Sequence, residues 1–103
     1  MTWYAHVRDV PAPVEVYDAV HAELLRRTGG QVDGLVLHVC RETGTGFQVV
    51  EVWTDRAACE RADRELVGPI LAGLGGDGPG PQPPPPQEFT VRGIVVPAGD
   101  VAM

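Results

Sequence analysis

Two strand-like runs joined by a short glycine-containing connection constrain the fold of this chain more than any other feature. The runs Gly34–Glu42 and Phe47–Thr54 are rich in β-branched and apolar side chains, and Thr43-Gly44-Thr45-Gly46 separates them. We expect the two glycines of this connection to supply the positive φ angles that a tight turn requires. The sequence therefore predicts a β-hairpin in the middle of the chain.

A strand and a helix are predicted before this hairpin. Thr2–Arg8 is short, aromatic and β-branched, and the prolines that follow it would end a strand. Between Pro13 and Thr28, apolar and aromatic residues recur at intervals of three and four, and Gly29 with Gly30 forms a stop signal. The sequence therefore predicts an amphipathic helix that begins at Pro13.

A second helix and a last strand are predicted after the hairpin. Asp55 can cap a helix that starts at Arg56, and its apolar stripe continues past Gly68-Pro69 with a kink or restart. Phe89–Val96 has the pattern of a final strand. The elements then follow the order β-α-β-β-α-β.

The residues between these last two elements, 75–88, are rich in glycine and proline. Such a segment can mark a domain boundary or a polyproline ligand for a partner module. A single strand beyond it cannot fold alone, so we interpret the segment as a loop inside one domain that spans residues 1–103.

This order of elements predicts an α+β fold of the ferredoxin-like type, with a four-stranded antiparallel sheet and two helices on one face. Apolar pairs such as Val36-Leu37, Val49-Val50 and Val95-Val96 place apolar side chains on both faces of the sheet. Two helices cover one face only. We therefore expect a homodimer in which the sheet faces of two copies pack together.

Composition excludes several classes of protein. The net charge is −6, and all eight basic residues are scattered arginines, which argues against a nucleic-acid partner. The chain has no serine, asparagine or lysine, so serine nucleophiles and lysine Schiff bases are excluded. No apolar run is long enough for a membrane span and no secretory signal is present, so we expect a cytoplasmic protein with reduced cysteines.

The hairpin strands, the Glu51-Val52-Trp53 motif, the Asp55 cap with the alanines after it, and Leu66–Leu71 resemble the dimeric α+β barrel superfamily. Within it, the chain is most similar to antibiotic-biosynthesis-monooxygenase-like proteins, especially small actinobacterial ones. The resemblance implies a dimeric barrel with a cleft between sheet and helices. It also implies cofactor-free oxygenation of polyketide or quinol substrates, haem degradation, isomerisation or cyclisation, or no chemistry.

The histidine and cysteine of His38-Val39-Cys40 lie on the same face of their predicted strand. A thiolate beside an imidazole could be a nucleophilic pair, but Cα atoms two residues apart on a strand are separated by roughly 6.6 to 7 Å, which disfavours a direct bond. The chain also lacks tight ligand spacings such as H-x-x-x-H or C-x-x-C, so we predict neither a metal site nor a cofactor.

The remaining polar groups on buried elements are candidates for a small-molecule site. We expect His38 and His21 to be catalytic, because imidazole titrates near neutral pH and exchanges protons readily. The alternative for each is a hydrogen-bonded core or interface residue. An arginine across the dimer, such as Arg41 or Arg92, is the expected partner of a buried carboxylate at Glu51, and a catalytic carboxylate is the alternative. The predicted substrate-binding residues are Tyr4, His6, Tyr17, Trp53 and Glu51.

Two functional hypotheses follow. In the first, the protein is a small cofactor-independent tailoring enzyme that binds a hydrophobic, aromatic or polyketide-like molecule. It would act by monooxygenase-like chemistry or by acid/base cyclisation or isomerisation. In the second, it is a non-catalytic dimer that binds a small ligand or serves as an accessory subunit. The second hypothesis is favoured by the absence of asparagine and by Ala62-Asp63 in the second helix, where many oxygenase-type members of the superfamily have a histidine.

Overall fold

The computed structural model describes residues 3–74 and 85–95. Its elements in chain order are β1 (Tyr4–Val10), α1 (Val14–Thr28), β2 (Leu35–Glu42), β3 (Phe47–Trp53), α2 (Arg56–Ala62), a π-helical turn (Asp63–Val67), α3 (Gly68–Leu74) and β4 (Gln87–Phe89). The predicted α+β class and the predicted four-stranded antiparallel sheet are confirmed. Because α2, the π-helical turn and α3 follow one another directly, they form the second helical segment of the fold.

The sheet has the strand order β2-β3-β1-β4, and every neighbouring pair is antiparallel. The hairpin predicted in the sequence forms the β2–β3 pair, and β1 inserts on the other side of β3. This arrangement is compatible with a ferredoxin-like fold.

Helix α1 begins one residue later than predicted and ends as predicted. Pro13 occupies the N-cap position, with φ −59° and ψ 143°, instead of the first helical position. Gly29 adopts the left-handed conformation at φ 68°, and its N–H donates to Leu25 O at 2.8 Å. Glycine adopts this conformation without a steric penalty, which explains the sharp end of the helix.

Asp55 caps α2 as predicted, because its side chain accepts a hydrogen bond from Ala58 N at 2.8 Å. The predicted irregularity at Gly68-Pro69 is present, but it lies in the turn before these residues. Pro69 has no N–H, and its ring crowds the carbonyl four residues earlier. The π-helical turn widens the helix just there, and Gly68 N–H donates to Asp63 O.

The prediction that glycines of the hairpin connection have positive φ is wrong. Neither Gly44 nor Gly46 does, and the four-residue connection is instead closed by a bond from Thr43 N to Gly46 O at 2.9 Å. A Cβ at Gly46 would overlap Val10 O. Gly46 is therefore needed for close backbone approach and not for its φ angle.

The predicted last strand is too long. Strand β4 covers Gln87–Phe89, where Phe89 pairs with Ala5, and residues 90–95 are not in a strand. Since β4 runs antiparallel to β1, residue 90 would lie opposite Tyr4, the first residue of β1, and residues from 91 onward would extend past the start of β1. Of the predicted glycine- and proline-rich loop, residues 75–84 lie outside the described residues, and Gln87 and Glu88 belong to β4.

The strand register defines two faces of the sheet. One face carries Glu51 and Trp53, contacts α1 through Tyr17 and contacts α2 through Cys59; we call it the helix-facing side. The other face carries Val50 and Val52, and we call it the opposite face. A cluster of buried residues between β3 and α2 consists of Trp53, Ala58, Cys59 and Ala62. None of the described helices is long and apolar enough to cross a membrane.

Candidate functional site

Three charged or titratable side chains, one each from β1, β2 and β3, form one row across the sheet, and Glu88 of β4 lies opposite the β1 member of the row. In the antiparallel register, Glu51 of β3 lies opposite His6 of β1 and opposite His38 of β2. All three side chains point to the helix-facing side, where neighbouring residues in register are close enough to interact. The strand pairing alone therefore brings a carboxylate between two imidazoles.

Glu51 accepts hydrogen bonds with both of its oxygens. Its Oε2 lies 2.7 Å from His38 Nδ1, and its Oε1 lies 3.2 Å from both His6 Nε2 and Trp53 Nε1. The arginine partner expected across a dimer interface stays a prediction; within the chain, Arg41 binds Gln48 at 2.9 Å. The row of the sheet supplies nearer donors, so the partly buried carboxylate is satisfied within the chain.

The environment of Glu51 favours its ionised form. Burial alone would raise the pKa of this carboxyl, but hydrogen bonds and charges from His38 and His6 outweigh burial and lower the pKa to about 2. An ionised carboxylate can only accept hydrogen bonds, so Nδ1 of His38 must carry a proton. Glu51 thereby fixes the tautomer of neutral His38, in which Nε2 carries the lone pair and acts as the hydrogen-bond acceptor.

Helix α1 extends the row toward solvent through Tyr17 and His21. The hydroxyl of Tyr17 lies 2.6 Å from His38 Nε2 and 3.3 Å from His21 Nδ1. The Tyr17 ring stacks on both imidazoles and meets the buried ring of Phe47 at an angle. Tyr17 and His21 are one helical turn apart, as the sequence predicted, and both are half-buried.

Burial, reinforced by the negative charges of Cys40, Glu51 and Asp18, raises the pKa of Tyr17 to about 12. The phenol therefore keeps its proton at neutral pH. When His38 is neutral, Tyr17 donates that proton to His38 Nε2. When His38 is protonated, Nε2 donates to the phenolic oxygen, and the Tyr17 proton is free to turn toward His21 or a bound molecule.

Helix α2 adds a thiol on the other side of the carboxylate. Cys59 Sγ lies 3.7 Å from His6 Nε2 and 3.9 Å from Asp63 Oδ2. His6 and Cys59 are each only 5% exposed. Burial and the nearby carboxylates, chiefly Asp63 and Glu51, raise the pKa of the Cys59 thiol to about 12. Burial likewise raises the pKa of Asp63, with Glu51 adding to the effect.

The sequence did not predict a functional role for Cys59 or Asp63. The available signal was their four-residue spacing, which places both on one side of a helix. Nothing in that spacing shows that this side meets His6, a residue 53 positions away.

Cys40, the other cysteine, lies beside the row but outside its hydrogen bonds. It is opposite Val49 on the neighbouring strand and is half-buried, and desolvation raises the pKa of its thiol. Both ring nitrogens of His38 are already hydrogen-bonded, Nε2 to Tyr17 and Nδ1 to Glu51. A nucleophilic pair between His38 and Cys40 does not form.

Tyr4 lies at the margin of this arrangement. Its ring centroid is 5.5 Å from that of His6, and the guanidinium of Arg56 lies over the Tyr4 ring, with Cζ 5.3 Å from the ring centroid. Its hydroxyl donates to Glu88 at 3.3 Å. Burial, followed by the charge of Glu88, raises the pKa of Tyr4.

Tyr4 also lines an open depression of about 640 Å³ between β1 and the segment that follows β4. Its apolar lining includes Trp3, Phe89 and Ile94, and Arg92 adds a positive charge. The lining does not include Tyr17 or His38. The structure therefore separates this depression from the hydrogen-bonded row.

Of the predicted site residues, the structure brings together His21, Tyr17, His38, Glu51, His6 and Trp53 in one continuous set of contacts. Tyr4 reaches this set only through its ring contact with His6. No family model, curated protein or solved structure matches this chain. The resemblance to the dimeric α+β barrel superfamily therefore stays a prediction.

Proposed function

We propose that this protein is a small enzyme that binds an aromatic or polyketide-like molecule between sheet and helices and moves protons within it. The observation that carries the proposal is the relay Tyr17–His38–Glu51, with distances of 2.6 Å and 2.7 Å between the hydrogen-bonding atoms. A carboxylate behind an imidazole fixes its tautomer and stabilises the imidazolium, so the imidazole can exchange a proton with a group in front of it.

Tyr17 is the residue of this relay that exchanges a proton directly with the substrate. Because the phenolate of Tyr17 is disfavoured, Tyr17 loses one proton and gains another in the same step. As its hydroxyl donates a proton to a substrate oxygen, Nε2 of protonated His38 transfers a proton to the phenolic oxygen. The reverse sequence removes a proton from the substrate. Cyclisation and isomerisation need both directions, and monooxygenase-like chemistry would use the relay to remove a substrate proton.

His21 extends the same relay on its solvent side. Its Nδ1 lies 3.3 Å from the Tyr17 hydroxyl, and its ring lies parallel to that of His38 with centroids 6.1 Å apart. In this position His21 can accept the Tyr17 proton when His38 is protonated. We propose that it exchanges protons between the relay and the surrounding water.

Exchange of α-protons in 2-tetralone, a bicyclic aromatic ketone, tests this function in D₂O by NMR. We expect the wild-type protein to accelerate exchange and Tyr17→Phe and His38→Gln each to reduce it by about 100-fold or more, the usual contribution of a positioned acid/base group. Glu51→Gln should reduce it as well, whereas the matched variant Glu42→Gln, at an exposed strand position, should exchange at the wild-type rate. Equal exchange by the wild type, Tyr17→Phe and His38→Gln would refute the proposal.

A second candidate function is non-catalytic binding of a hydrophobic ligand, which is favoured by the depression lined by Trp3 and Tyr4. In addition, both nitrogens of His38 are already hydrogen-bonded within the chain. Fluorescence titration with an anilinonaphthalene sulfonate dye distinguishes the two functions. Binding that is lost in Trp3→Ala and retained in His38→Gln, together with no acceleration of exchange, would favour this second function.

We also propose that two copies pair through the opposite face to form a dimeric barrel. The proposal is supported by the apolar side chains on this face, where Val39 is 47% exposed and Phe89 is 43% exposed. Large apolar side chains on a sheet surface favour association with another apolar surface. Light scattering at micromolar concentration tests it, and a monomer would contradict it.

A further inference from the structure

We propose that His6, Glu51 and Cys59 form a binding site for a divalent transition-metal ion of the zinc class. The potential ligand atoms are His6 Nε2, Glu51 Oε1 and Cys59 Sγ, and the ligand atoms of the three residues lie within 4.8 Å of one another. The inference does not rest on the proposed proton-transfer function.

Two of the three distances between these atoms match the edges of a zinc coordination tetrahedron, and the third, between Glu51 Oε1 and Cys59 Sγ, is no longer than 4.8 Å. With Zn–N and Zn–O bonds of about 2.0 to 2.1 Å and a Zn–S bond of about 2.3 Å, tetrahedral angles place N and S about 3.6 Å apart and N and O about 3.3 Å apart. The observed separations are 3.7 Å between His6 Nε2 and Cys59 Sγ and 3.2 Å between His6 Nε2 and Glu51 Oε1. An ion can therefore be placed with little movement of these groups.

The donor set also selects the kind of ion. One imidazole, one thiolate and one carboxylate combine nitrogen, sulfur and oxygen, which suits zinc and disfavours magnesium and calcium, since these prefer oxygen alone. Three protein ligands leave a fourth position open. Asp63 Oδ2, 3.9 Å from Cys59 Sγ, is the neighbouring carboxylate that could occupy this position or bind a metal-bound water.

The surroundings hold the ligands in place. They come from three elements, β1, β3 and α2, and the strand register fixes two of them opposite one another. Trp53 Nε1 donates to Glu51 Oε1, and His38 Nδ1 donates to Glu51 Oε2, so the carboxylate is oriented from both sides. Groups that orient a ligand in this way are typical of metal sites.

His6 is buried and presents one ring nitrogen to both other candidate ligands. It is 5% exposed, and its Nε2 points to both Glu51 and Cys59, while its Nδ1 has no hydrogen-bond partner among the described residues. Metal ligation at Nε2 would replace the long contact with the thiol by a coordinate bond and would leave the proton on Nδ1.

Cobalt(II) alone is the probe for this site, because thiolate ligation produces a sulfur-to-cobalt charge-transfer band in the near ultraviolet. The protein is first treated with a chelator and then titrated with Co²⁺. We expect the wild type and Cys40→Ala to give this band at one equivalent, and Cys59→Ala to lose it. Cys40→Ala is the matched control, because Cys40 is the only other cysteine of the chain.

Competition with Zn²⁺ then measures affinity. Outer-shell partners of a metal ligand typically contribute about 10- to 100-fold, so Trp53→Phe should weaken Zn²⁺ binding by about that factor and His6→Gln by more. Absence of the band in the wild type, or its loss in Cys40→Ala, would overturn the proposal even if Cys59→Ala does not fold. Ketone exchange by the chelated protein is assayed separately, so failure of this site and failure of the relay are distinguishable.

Discussion

The two faces of the sheet carry opposite chemistry in adjacent rows of the same three strands. Moving one residue along each strand leads from a row of charged or titratable side chains on one face to a row of aliphatic side chains on the other. The rows are His6, Glu51 and His38 on the helix-facing side and Val7, Val50 and Val39 on the opposite face.

The comparison shows how a carboxylate can lie in a small core. On the helix-facing side, every oxygen of Glu51 is hydrogen-bonded to a donor from the chain, which offsets the free-energy cost of its burial. On the opposite face, the row of Val7, Val50 and Val39 has no polar side chain, and among the described residues side-chain hydrogen bonds are confined to the exposed row of Arg41, Gln48 and Asp9. Association of the aliphatic row with another apolar surface would stabilise the fold instead. The four predictions below test this contrast, beginning with the largest expected effect.

Replacing the carboxylate should destabilise the helix-facing side most. Glu51→Leu leaves the N–H groups of His38, His6 and Trp53 without their acceptor, and each buried donor left unsatisfied typically costs about 1 to 3 kcal/mol. Urea unfolding should show this loss, and the exposed strand variant Glu42→Leu should change the free energy of unfolding by about 0.5 kcal/mol or less. Similar losses in both variants would contradict the network.

A charge on the opposite face should instead break association. Val39→Asp is expected to weaken dimerisation by about 100-fold, equivalent to about 2.8 kcal/mol, because an unpaired carboxylate would be buried between two apolar sheets. Val16→Asp is the matched control, since Val16 on α1 has the same exposed fraction of 47%. Light scattering across a concentration series measures the effect. An undiminished dimer in Val39→Asp would place the interface elsewhere.

An added methyl group should lower the stability of the fold where the helix-facing side is closely packed. Gly34 has φ 81°, and a Cβ there would lie 2.5 Å from the Cβ of Ala58. We expect Gly34→Ala to destabilise the fold by about 2 kcal/mol or more through backbone strain and overpacking. Gly44→Ala, in open space without a positive φ, should be nearly neutral by thermal unfolding. Equal stability of the two variants would argue against this close contact.

Alkaline pH should loosen the contact between α1 and the sheet. The pKa of Tyr17 is raised to about 12 in the fold from an ordinary value of 10.0, so the fold disfavours the phenolate. The corresponding stabilisation is present below pH 10 and is lost as the pH rises toward 12. Ultraviolet titration of Tyr4→Phe isolates Tyr17 and should show phenolate forming near pH 12 together with loss of circular dichroism. Titration near 10 with the fold intact would contradict this assignment.

Most elements of the fold could be predicted because they depend on local signals. The Asp55 cap, the Gly29 stop and the glycine-containing connection between β2 and β3 each act within a few residues. The φ angles of Gly44 and the length of β4 could not be predicted, because they depend on how strands β1, β2 and β3 meet in space.

The sequence by itself determined which groups were available for chemistry: three histidines, two thiols and a glutamate inside a strand, with no serine, asparagine or lysine. Only the tertiary structure decided their partners. The antiparallel register set Glu51 between His6 and His38, and the packing of α2 brought Cys59 to His6. The physical reason is that side-chain hydrogen bonds act over about 3 Å, whereas sequence patterns report only the face of each element.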